Sequence, residues 1–82
     1  MSSPSHRSIS EIAREIRRVW KPVYYAAQPY LDAMLELTDR NSTFGHDSAK
    51  SIVTYFLSNA STFRGPDARR IKLELKTILS IK

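Results

Sequence analysis

Apolar residues recur at Ile9, Ile12, Ala13, Ile16, Val19 and Trp20, and these offsets of 3, 4, 7, 10 and 11 trace one face of an α-helix. The same period returns at Ala49, Ile52, Val53, Phe56 and Ala60, and again at Ala68, Ile71, Leu75, Ile78 and Leu79. No stretch alternates convincingly enough to be a strand. The expected fold class is therefore all-α, a compact bundle of four helices, or of three with a proline kink. Its core is expected where Ile12/Ile16/Val19, Leu31/Met34, Ile52/Val53/Phe56 and Ile71/Leu75/Ile78 meet. With 82 residues there is room for one small core, since a TIM barrel or a dinucleotide-binding α/β domain needs roughly 150 to 250 residues. A chain of this size buries only about 60–65% of its unfolded surface, so its stability is expected to be modest or helped by a partner.

Helix signals divide the chain. Ser8 and Glu11 have the S-x-x-E spacing of a capping box, with each side chain placed to satisfy a backbone N–H of the first turn. The opposite face of this first helix carries Glu11, Arg14, Glu15, Arg17, Arg18 and Lys21, and the basic last turn suits the helix dipole. Pro22 stops or kinks the helix by removing a donor and pushing Lys21 out of the α region. The next segment, Val23 to Thr38, contains Pro29. It is either one helix kinked near residue 25, or a short turn to Gln28 with a fresh start in which Pro29 takes the first position. Asn41, Ser42 and Gly45 mark a loop over 39–47, after which Asp47 is expected to cap a third helix from Ser48 to Ala60. Pro66 opens a fourth, with Asp67 in its first turn. Residues 1–7 are small and polar and are read as a disordered tail, leaving 8–82 as a single helical domain.

The net charge of +5 is unevenly placed. Residues 1–21 carry +3, residues 22–49 carry −3 and residues 50–82 carry +5. A basic–acidic–basic chain suits a negatively charged partner or mutual attraction between its own elements. The absence of cysteine excludes a disulfide scaffold and thiolate metal sites. No apolar run approaches the roughly 20 residues that span a bilayer, and the first seven residues lack the apolar core of a signal peptide. A cytoplasmic protein is expected, with no membrane association.

No residue constellation supports catalysis. His46 adjoins Asp47 on a loop, His6 lies in the tail, and no His/Glu pattern on one helix suggests a metal. No serine sits in a nucleophile elbow. Gly45 and Gly65 are the only glycines. They form no phosphate-cradling loop, and an early Asp at each following helix start would repel a phosphate. The chain is read as a non-enzyme, with no catalytic, cofactor-binding or metal-ligating residues.

The basic residues carry the functional reading. On the fourth helix, Arg69, Lys72 and Lys76 fall within about 60° of one another at 100° per residue. Leu73 lies beside them, away from the core face. Arg69, Lys72, Leu73 and Lys76 are the candidate partner-binding residues, a ridge for a protein with an acidic groove. The plainer alternative is a solvated face, with Leu73 covered by the tail or another helix. Arg70 lies elsewhere on the wheel and is expected to pair with Glu74. The competing function is nucleic-acid binding, motivated by the +5 charge and the basic ends at residues 14–21 and 64–76. The third and fourth helices resemble a helix-turn-helix in outline, but the loop is long and Pro66-Asp67-Ala68 stands where base-reading side chains belong. Trp20, Tyr24, Tyr25, Tyr30, Phe44, Tyr55, Phe56 and Phe63 offer stacking surfaces, although most are needed for the core.

The stretch Phe44-Gly45-His46-Asp47-Ser48-Ala49-Lys50-Ser51-Ile52-Val53-Thr54-Tyr55-Phe56, with Phe63-Arg64-Gly65 and Ala68-Arg69-Arg70-Ile71-Lys72, resembles a family of small proteins from phages of mycobacteria and related bacteria. The resemblance covers residues 42–80. The family is a domain of unknown function, so the resemblance implies phage origin and a bacterial cytoplasm, and transfers no activity or binding residue. Leu73, Ile81 and several tyrosines fall outside the tidy faces, so both a monomer and a homodimer are compatible with the pattern.

Overall fold

The computed structural model describes residues 7–81. Helices α1 (Ile9–Val19), α2 (Gln28–Met34), α3 (Ala49–Ser58) and α4 (Pro66–Leu79) enclose one apolar core, and a two-stranded antiparallel ribbon, β1 (Thr43–Phe44) with β2 (Asp47–Ser48), precedes α3. The chain is mostly helical rather than purely all-α. Residues 1–6 of the expected tail lie outside the described residues.

The start of α1 accounts for its own unpaired donors. Ser8 Oγ accepts from Glu11 N, and Ser8 N donates to the Glu11 carboxylate at 2.9 Å, which completes the capping box. The next two donors, Ile9 N and Ser10 N, reach the carbonyls of Thr38 and Leu37, both at 2.9 Å. The first turn of α1 is thereby stitched to the segment that leaves α2, in place of the water that would otherwise solvate it.

The helix ends before Pro22, and Trp20 turns out of helical geometry at φ −111°, ψ 93°. Its indole is carried into the core, where it stacks on Phe63 at 4.9 Å and packs nearly perpendicular to Phe56 at 6.1 Å. The helical period puts Val19 in the core, but it is 38% exposed, because Trp20 fills the space at that end of α1. Ile9, Ile12 and Ile16 are fully buried. Of the two readings of the second segment, the structure takes the fresh start, with Pro29 in the first turn of a short α2.

The ribbon departs from the expected loop over 39–47. Gly45 adopts φ 64°, a left-handed conformation that lets Gly45-His46 close a two-residue turn. Thr43 pairs with Ser48 and Phe44 with Asp47. Asp47 therefore belongs to β2, and the cap of α3 is Ser48, whose Oγ accepts from Ser51 N at 3.1 Å.

Candidate partner-binding site

The site follows from how α4 divides its surface. Ala68, Ile71, Leu75, Ile78 and Leu79 are buried and fix one face toward the core. At about 100° per residue, Asp67, Arg70 and Glu74 fall on one flank of that face, and Arg69, Lys72 and Lys76 on the other. Leu73 points away from the core and is 66% exposed.

The first flank is tied by ion pairs to Glu15 of α1 and to Arg7 just before it. Arg70 Nη2 lies 2.6 Å from Glu15 Oε2 and 3.3 Å from Asp67 Oδ1. Arg7, which the sequence pattern places in the tail, is anchored: its guanidinium bridges Glu15 at 2.8 Å and Glu74 at 2.7 Å. The expected Arg70–Glu74 pair does not form. Two carboxylates on different helices give Arg70 and Arg7 better geometry than an i,i+4 contact along one helix. The Arg70 and Arg7 guanidiniums hold the Glu15 carboxyl down at about 2, against an ordinary 4.5, with desolvation opposing them. Glu15 thus binds its proton more weakly in the folded chain. Its contribution to stability is complete above pH 4.5 and is lost as the pH falls toward 2. Urea midpoints measured from about pH 5 downward should fall in the wild type, and Glu15→Gln should remove part of that slope while lowering the neutral-pH plateau.

The second flank has no such partners. All eight acidic residues fall within 11–74 and are described, yet none forms an ion pair with Arg64, Arg69, Lys72 or Lys76. Lys72 departs from the expected ridge. It sits at the border of the core face, half-buried, and its Nζ donates to the carbonyls of Ala60 at 2.8 Å and Phe63 at 2.7 Å. The same ammonium lies 5.7 Å from the centroid of the Phe63 ring. Lys72 is therefore a clasp on the α3–α4 loop as well as a charge. Burial, followed by the like charges of Lys76 and Arg64, pushes its pKa below the usual lysine value.

Arg64 joins these residues from outside the expected ridge. It lies in the loop before α4, where no helical period relates it to the ridge. Its Nε donates to Ser61 O at 3.2 Å. With Phe63, Gly65, Ala68, Arg69 and Lys72 it lines a cleft of about 290 Å³. The structure thus brings Arg64, Arg69 and Lys72 together around one concavity, with Lys76 close to Lys72 and Leu73 exposed on the outer face. Among the described residues no other helix covers the Leu73 side chain, and residues 1–6 of the tail, the other cover expected for it, lie outside them.

The aromatic residues are divided between core and surface. Trp20, Phe56 and Phe63 are buried, and Tyr30 stacks on Tyr55 at 5.6 Å between α2 and α3. Tyr24 and Tyr25 are exposed and meet edge to face at 4.9 Å. Among the described residues there is no group of three or more His, Cys, Asp or Glu that could hold a metal ion, and no helix is long and apolar enough to cross a membrane.

No family model, curated protein or solved structure matches the chain.

Proposed function

We propose that the chain is a non-enzymatic binding protein that docks on a partner protein with an acidic surface, using Arg64, Arg69, Leu73 and Lys76 around the fixed charge of Lys72. The observation that carries this reading is the contrast between the flanks of α4. One flank has its cations matched by Glu15, Asp67 and Glu74. The other gathers cations around a concavity with no acidic partner among the described residues. Like charges held together raise the local potential, and an anionic surface relieves that repulsion on binding. Leu73 beside them supplies apolar area that is also removed from water. The resemblance to small phage proteins supports a phage-encoded chain acting on host or phage machinery in the bacterial cytoplasm.

A pull-down from mycobacterial lysate with the wild type and with Arg69→Glu/Lys76→Glu tests the reading. Both side chains are exposed and make no hydrogen bond that the fold uses, so the variant should keep its helical circular dichroism. Loss of the captured protein in the variant is the expected result, and equal capture overturns it.

A second reading, nucleic-acid binding, rests on a separate observation. Arg14, Arg17 and Arg18 on α1 and Lys21 just past its end are exposed, close in sequence to the exposed Tyr24 and Tyr25. Duplex affinity would then fall with salt at a log–log slope of about −0.9 per phosphate contacted.

A further inference from the structure

The cleft between the α3–α4 loop and α4 has a chemistry narrower than a general basic face. We propose that it is a binding pocket for a phosphomonoester, presented by a phosphorylated side chain of the partner protein and held by Arg64, Arg69 and Lys72. This rests on the docking reading and names the group that anchors it.

Three observations support the pocket. The first is donor geometry. Arg64 commits only its Nε to the chain, to Ser61 O, and Arg69 makes no side-chain hydrogen bond among the described residues. Two guanidiniums on one concavity present forked N–H pairs that match a tetrahedral oxyanion. Lys72 has three ammonium protons, and the Ala60 and Phe63 carbonyls take two. One donor remains, on a charge whose position the clasp has already fixed.

The second is charge balance. Three cations line the cleft and no carboxylate does. A carboxylate carries one negative charge and leaves an excess of positive charge. A phosphomonoester carries about −1.5 to −2 at neutral pH and offers three acceptor oxygens.

The third is access. Gly65 stands at φ 107°, a conformation that other residues rarely adopt, and the space where a Cβ would stand has no atom within 4 Å. The backbone at the mouth of the cleft is thus open to a ligand. The early aspartate that argued against phosphate from sequence does not line the cleft. Asp67 lies on the opposite flank, engaged by Arg70. No side chain caps the first turn of α4, which adds a favourable dipole to the cations.

The test is a titration of the ¹⁵N-labelled full chain with N-acetyl-O-phosphoserine amide, followed at the Gly65 and Ala68 amides and at the Arg64 and Arg69 Nε–H signals. The N-acetyl-glutamate amide and an oligothymidylate without a terminal phosphate form parallel arms. Saturable shifts at these positions are expected, about tenfold tighter for the phosphoserine compound than for the glutamate compound. Arg64→Gln and Arg69→Gln should each weaken the phosphoserine compound by about fivefold or more while the remaining spectrum stays that of the wild type. Equal affinity for phosphoserine and glutamate compounds overturns the phosphomonoester assignment and leaves acidic docking standing. No response to either overturns both at this cleft. Tighter binding of the oligothymidylate with the same shifts assigns the cations to nucleic acid and overturns the proposal.

Discussion

Phe56→Ala is expected to cost about 3–5 kcal/mol. Phe56 is fully buried on α3, and its ring packs nearly perpendicular to Trp20, which in turn stacks on Phe63. Truncation would leave a cavity at the place where α1, α3 and the α3–α4 loop share aromatic contacts. The neighbours cannot easily collapse into it, because Trp20 is positioned by the end of α1 and Phe63 by the loop that Lys72 ties down. A domain of this length has a total stability of about 4–12 kcal/mol. At about 4–8 °C per kcal/mol, the melting temperature should drop by about 12 °C at least, and at the upper end the cooperative transition should vanish. A thermal scan by circular dichroism checks this. A variant melting within about two degrees of the wild type would remove Phe56 from the centre of the core.

The elements that announced themselves in the sequence are those fixed by local chemistry. The Ser8/Glu11 box, the stop before Pro22 and the start at Pro66 all depend on a few residues acting on the nearest backbone, and the structure places each where the spacing puts it. The ribbon before α3 was hidden for a physical reason. Strands of two residues are too short to show alternation, and Gly45-His46 reads equally well as loop. Asp47 and Ser48 are both good capping residues, and the choice between them was made by the ribbon: pairing with Phe44 draws Asp47 into β2 and leaves Ser48 at the helix start. Val19 and Trp20 show the same limit at the other end of α1. Periodicity puts both on the apolar face, but only one can enter the core once the helix stops.

The candidate site was legible as a stripe and illegible as a cleft. The positions of Arg69, Lys72 and Lys76 follow from the helical period alone, and so does the placement of Leu73 away from the core face. Partner choice does not follow from it. Arg70 lies one turn from Glu74, yet α1 brings Glu15 to Arg70 and Arg7 to Glu74, contacts between residues 55 and 67 positions apart. Arg64 escapes for the complementary reason: a loop residue has no period, and only the fold of the loop over Phe63 brings it to the cleft. One sequence signal does mark the place. Gly65 directly precedes Pro66, and the positive φ it adopts sets the angle at which the loop meets α4.

Lys72→Met is expected to destabilise the chain by about 2–4 kcal/mol, whereas Lys76→Met should change stability by no more than about 0.5 kcal/mol. Both residues lie on the same stripe, and the difference comes from what their ammonium groups touch. The Lys72 ammonium satisfies the carbonyls of Ala60 and Phe63, at the point where the chain leaves α3. Charged hydrogen bonds are worth about 1.5–3 kcal/mol each, and methionine fills a similar volume but leaves the Phe63 carbonyl without a donor and the Ala60 carbonyl with only the Phe63 N–H. Two terms work the other way. The substitution relieves the burial of a charge, and it removes the repulsion from Lys76 and Arg64 that depresses the Lys72 pKa. These offsets keep the net below the sum of two full bonds. Urea midpoints for the two variants, compared at equal denaturant slope, provide the measurement, and equal midpoints would refute the clasp. The outcome also governs how binding data on this face are read. If Lys72 holds the loop, its substitution displaces Phe63 and Arg64 together, and a loss of partner in that variant reports a collapsed cleft wall rather than a missing contact. Arg69 and Lys76, exposed and free of such duties, are the positions at which a loss of binding reports the surface itself.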